Sequence, residues 1–261
     1  MDAVIRSVRA AVARLMREPA PHILVALAAV VAWTVAGAVA GVGATLGWLV
    51  AIPLAMLLGA LAGDPTIGNA LALLAPWLIA ALGLGFGLVF VWLAAVLQLA
   101  HQRALADAMD ADAPLRAADI PARIRDVVAP ATTIVLVQAL VFVGGIPFLC
   151  LPSILTWFLL FYASPIVAVR RVGGWEACVE STSRVLSSLN AMLPPFFGFA
   201  AHQAAAAAPP LGTIAVAILM DIVRVDLVRS GWLDQPSGQS PSIDPGSDPH
   251  VTHSTNAPSR S

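Results

Sequence analysis

The chain contains no lysine. All 14 strong bases are arginine, and aspartate greatly outnumbers glutamate. Charge of either sign is scarce: 11% of 261 residues, against about 25% in a soluble globular domain. So few charges cannot build a water-soluble shell around a chain that is 59% hydrophobic with mean hydropathy +0.86. Lipid is therefore the expected solvent for most of the surface. A net charge of −1 removes any bulk electrostatic case for nucleic acid. The arginine and aspartate biases fit a high-GC prokaryotic genome and carry no mechanism.

The chain has two cysteines, Cys150 and Cys178. They fall on either side of an apolar run, so they are expected as separate, buried and inert thiols. Catalytic patterns are missing as well. No HExxH, GxSxG, Cys/His quartet or glycine-rich phosphate loop after a strand occurs. Between residues 23 and 98 the one charged or histidine side chain is Asp64, and 131–169 holds none. The expectation is a non-enzyme without cofactor or metal.

What is present is a succession of apolar runs. Residues 2–18 are amphipathic: Val4, Ile5, Val8, Val12, Leu15 and Met16 on one half of a helical wheel, with Asp2, Arg6, Arg9 and Arg17 on the other. Such a helix suits a membrane surface, and Pro19 and Pro21 end it. Residues 22–62 are uncharged and too long for one span, about 60 Å as a single helix. Breaks are expected at Gly41–Gly43, Gly47 and Pro53. Ala38–Val39–Ala40 has the small-x-small form of a signal cleavage site. The apolar run is much longer than a signal core, so no cleavage is expected.

Gly63–Asn69 reads as a turn. A long span follows, in which Gly83 and Gly87, four apart, would let another helix approach closely. Residues 101–130 form a polar segment. Asp107, Asp110 and Asp112 invite a calcium reading, but an EF-hand loop needs a glycine at its sixth position and Pro114 intrudes, so a solvated linker is expected. Asp119 before Pro121 marks a helix start. After Arg170–Arg171, residues 171–190 form a second amphipathic helix. Trp175, Cys178, Val179, Leu186 and Leu189 share one face; Glu176, Glu180, Ser183, Arg184 and Ser187 take the other, with Glu180 and Arg184 paired.

The fold expected is an all-α polytopic membrane bundle of about six spans, near 22–44, 70–98, 131–145, 147–169, 191–208 and 211–228. Its units are an interfacial helix over 1–21, a transmembrane domain over 22–229 and a disordered tail over 230–261. With 47–61 non-crossing, every arginine falls on one side, which puts both termini in the cytoplasm of a plasma-membrane protein. The lipid bilayer and other membrane proteins are the expected partners. The candidate polar positions inside the spans are Gln138, His202 and Asp221, the last with Arg224 one turn on. Spacing favours Asp221 paired with Arg224 at the interface, and His202 as a satisfied or snorkelled histidine near the outer end.

One stretch resembles a known family. From Phe161 to Asn190 an aromatic residue and Pro165 end a span. Gly174–Trp175–Glu176–Ala177 follows, then Ser181, and Asn190 before the next span. This resembles the membrane domains found beside glycerophosphodiester phosphodiesterases and related multi-span families of bacteria and archaea. The resemblance implies a helical membrane bundle. It carries over neither the phosphodiesterase activity nor any functional residue, since no soluble catalytic domain accompanies the motif. The expected role is that of a membrane scaffold or partner protein. The alternative is a transporter or permease component for a small or lipid-like solute, motivated by the glycine- and proline-broken helices.

Overall fold

The computed structural model describes residues 2–145, 151–205 and 211–234. Among them no strand occurs and nearly all are helical. Among the described residues, three helices are long and apolar enough to cross a membrane: Pro19–Leu61, Pro65–Asp110 and Asp119–Gly145.

Helix α1 (Asp2–Arg17) packs against the last long helix, with Ser7 and Ala11 buried. Pro19 opens α2 (Pro19–Leu46), where a missing N–H costs nothing. The corner is pinned from both sides. Arg14 donates to the Ala113 carbonyl at 2.9 Å, and Glu18 accepts from the Leu115 amide at 2.8 Å.

The expected interruption near Gly41–Gly43 does not occur. Helix α2 continues through one π-helical turn, Gly47–Ala51, into α3 (Ile52–Leu61), a run of 43 residues. Glycine and proline are tolerated where a local π adjustment and a neighbouring helix re-satisfy the freed backbone groups. Pro53 sits at the start of α3, next to the π turn that absorbs the irregularity. A tight turn then reverses the chain. Gly63 takes φ +68°, and the Asp64 carboxylate accepts from the Thr66 amide at 2.8 Å, capping α4 (Pro65–Asp110).

Helix α4 is 46 residues long and runs back antiparallel to α3 and α2. The two arms are zipped along small residues. Gly87 meets Ala36, Gly83 meets Gly43, Pro76 meets Gly47 and Gly68 meets Gly59. A Cβ on Gly59 would lie 2.4 Å from the Gly68 Cα. Gly83 and Gly87 thus face a close helix, as their spacing predicts. Gly43, expected to break the helix, is a contact point within unbroken α2, and Gly47 is a contact point where α2 gives way to the π turn. Trp48 and Trp77 meet edge-on across the arms, 5.8 Å between ring centroids.

Residues 101–110, expected to open a polar linker, continue α4. Helix α5 (Asp119–Gly145) starts at Asp119 as the Asp-x-Pro pattern predicts, and packs on α4. The run expected as one span over 147–169 contains two helices, α6 (Leu151–Leu159) and α7 (Ala163–Arg170), separated by a turn. Ser181 of α8 (Gly174–Ser187) stabilises that turn. Its hydroxyl donates to the Leu159 carbonyl at 2.6 Å and accepts from the Tyr162 amide at 3.1 Å. Arg171 ends α7 in the left-handed region, φ 60°. The last helices are α9 (Leu189–Ala205) and α10 (Leu211–Arg229).

Residues 230–234, placed by the sequence in the tail, are ordered. Trp232–Asp234 form a 3-10 turn with Leu233 buried. The rest of the expected disordered tail lies outside the described residues, as does Cys150.

The faces of α8 also differ from expectation. Cys178 is buried with Ala177, Ser181 and Val185, whereas Trp175, Val179 and Leu186 are exposed. The apolar residues of this helix therefore occupy two sides, one packed on the bundle and one open.

Candidate functional site: a buried polar cluster where α2, α4 and α10 meet

The core sits at one end of the molecule. Leu99, Leu105, Ile120, Ile166, Ile222 and Leu227 are fully buried there. Within it lies a group of polar side chains that apolar neighbours would make costly if unpaired.

Asp221 of α10 anchors the group and is 7% exposed. Its carboxylate accepts from the Gln98 amide at 2.9 and 3.0 Å and from the Gln102 amide at 3.1 Å, and it pairs with Arg224 one turn on. Gln98 and Gln102 are four apart on α4, so both amides reach one carboxylate. The Arg224 guanidinium also lies over the Phe161 ring, 5.2 Å from its centroid. Beside this set, His22 of α2 and His101 of α4 share a hydrogen bond between Nδ1 and Nε2, 2.9 Å long. Both rings are buried, 1% and 2% exposed. His22 Nε2, His101 Nδ1, Gln102 Oε1 and Arg224 Nε are buried without a protein partner among the described residues.

Around this cluster runs a belt of ion pairs. Asp107 gathers Arg103, Arg123 and Arg171 at 3.8, 2.9 and 3.4 Å. Arg103 also donates to the Ala168 carbonyl at 2.7 Å. Arg229 holds Asp110 at 2.6 Å, and Ser7 donates to Asp226 at 2.5 Å. Asp234 pairs with Arg170 and Arg184, each at 2.8 Å, and Glu180 lies 3.9 Å from Arg184 as its spacing predicts. Asp107 and Asp110 thus have arginine partners, and no group of three or more potential metal ligands exists among the described residues. Burial pushes the Cys178 thiol up to about 11.

The sequence-predicted positions scatter. Asp221 and Arg224 come together as their spacing predicts; the pair, expected at the interface, lies in the core of the bundle. Gln138 is exposed on α5, away from the packed side. His202 is on α9, and its side chain lies outside the described residues. His22, Gln98, His101 and Gln102 are not among the positions expected from the sequence. Their signal was present: polar residues at the ends of two uncharged runs, with the two glutamines four apart.

Comparison with known protein families, curated proteins and solved structures finds no match.

Proposed function

We propose that the chain is an integral membrane protein that works by contact, as a non-enzymatic scaffold or partner for other membrane proteins. It would sit in the plasma membrane with about six crossings and both termini in the cytoplasm. The observation that carries this reading is the hairpin. Its arms of 43 and 46 residues would measure about 65 to 70 Å, roughly twice the hydrocarbon thickness. Its distal half packs chiefly on itself, and exposes Trp48, Leu49, Leu57, Leu73, Trp77 and Leu78. An apolar surface of that extent marks an interaction site. The likeness of residues 161–190 to membrane domains beside glycerophosphodiester phosphodiesterases supports a bundle of this general type.

The test is photo-crosslinking in intact membranes from probes replacing Leu57 or Leu78. Protein adducts of discrete mass support the reading. Adducts to lipid alone at both positions would remove it.

A second reading, a transporter or permease component for a small or lipid-like solute, is favoured by the buried His22–His101 pair beside Asp221. Ionisable groups in such positions serve proton pathways in transporters. Vesicles holding the full chain, given a potassium diffusion potential, should then take up protons, and His101→Phe should stop the uptake. Uptake equal to that of empty vesicles counts against it.

A further inference from the structure

Helices α1 and α8 each have three sides rather than two. On α1, Ser7, Ala11 and Leu15 pack against the bundle. Ile5, Val8, Val12 and Met16, spaced i, i+3, i+7 and i+11, form an adjoining ridge that is exposed. Arg6, Arg9 and Arg17 are exposed on the far side of that ridge. On α8 the order repeats. Ala177, Cys178, Ser181 and Val185 are packed, Trp175, Val179 and Leu186 are an exposed ridge, and Glu176, Ser183 and Ser187 lie beyond it.

A helix docked on a protein and bathed in water needs two sides. A third side, apolar and placed between the packed and the polar ones, matches the edge of a bilayer. The two helices differ in charge. On α8 Arg184 is engaged by Glu180 and Asp234. On α1 Arg14 is engaged by Glu18, but Arg9 and Arg17 have no carboxylate partner among the described residues, and Arg6 is exposed.

We propose that α1 lies flat in the headgroup layer and selects anionic phospholipid. Ile5, Val8, Val12 and Met16 enter the acyl region, and Arg6, Arg9 and Arg17 bind headgroup phosphate. Arginine suits that task because its planar fork meets phosphate oxygens in pairs. The inference rests on the membrane reading above and not on the scaffold role.

The experiment uses the full chain in vesicles of equal parts phosphatidylcholine and phosphatidylglycerol. Flotation with the vesicles reports the membrane reading separately. The bound lipid shell is then extracted with a polymer and its phospholipid ratio measured. The wild-type shell should be enriched in phosphatidylglycerol, and the enrichment should fall as salt rises. Each of Arg6→Gln, Arg9→Gln and Arg17→Gln should lower it by up to about five-fold, the worth of one cation at an anionic surface. The triple variant should return to the bulk ratio, while the triple lysine variant, which keeps the charge, retains much of the enrichment. A chain that floats normally with a shell at the bulk ratio overturns the proposal. So does an enrichment that survives in the triple glutamine variant.

Discussion

The Gln98 amide on α4 donates to both carboxylate oxygens of Asp221 on α10, at 2.9 and 3.0 Å, across 123 residues of sequence. That contact joins the first long hairpin to the last helix inside the core. Replacing Asp221 by Leu leaves the Arg224 guanidinium without its carboxylate and two amides without an acceptor. The expected loss is about 3–5 kcal/mol, read as a lower unfolding temperature in detergent. Asp221→Leu combined with Arg224→Leu should recover part of it, because the stranded charge is then gone. A single variant as stable as the parent would show that the pair contributes nothing.

The hairpin supplies a test with its own control. Gly59→Leu would place a Cβ 2.4 Å from the Gly68 Cα, so the arms must separate. Overpacking of this kind costs about 1–3 kcal/mol. A Cβ on Gly41 meets nothing within 4 Å, so Gly41→Leu should be close to neutral. Protease sensitivity at the hairpin tip distinguishes the two. Equal effects at both positions would contradict the zipped arrangement.

Ser181 is fully buried and serves both the Leu159 carbonyl and the Tyr162 amide. Ser181→Ala leaves both without a partner at the turn between α6 and α7. The expected cost is about 1–3 kcal/mol, measured by denaturant titration. Ser183→Ala, on the exposed side of α8, should change stability by less than about 0.5 kcal/mol.

Cys178 is buried, and its thiol is pushed up to about 11. The thiolate is the reactive form, and it is depleted at every pH below that value. In a Cys150→Ser background, maleimide labelling near about pH 8 should be far slower than for a free thiol. Unfolding should restore the ordinary rate. Rapid labelling of the folded chain would mean that the packed side of α8 opens to solvent.

Several features were legible in the sequence because they depend on neighbours along one helix. Asp119 starts α5, Glu180 meets Arg184, Asp221 meets Arg224, and Gly83 with Gly87 faces a close helix. The errors share one cause. Local freedom predicts a break at Gly41–Gly43, whereas the facing arm of the hairpin makes Gly43 a contact inside an unbroken helix. A helical wheel puts Trp175 and Cys178 on one apolar face, because it records which residues are apolar and not which neighbour covers them.

The sequence by itself determined that this chain is helical and apolar and that its arginines are confined to a few segments, because composition and short-range periodicity fix helix content and solvent preference. Only the tertiary structure decided that the two longest helices zip into a hairpin of about twice the bilayer thickness. It also decided that His22 meets His101, that Asp221 meets Gln98 and Gln102, and that α1 and α8 each keep an apolar side uncovered. Those outcomes depend on pairing between residues far apart in the chain, and no repeat along a single helix encodes which distant partner a buried polar group will find.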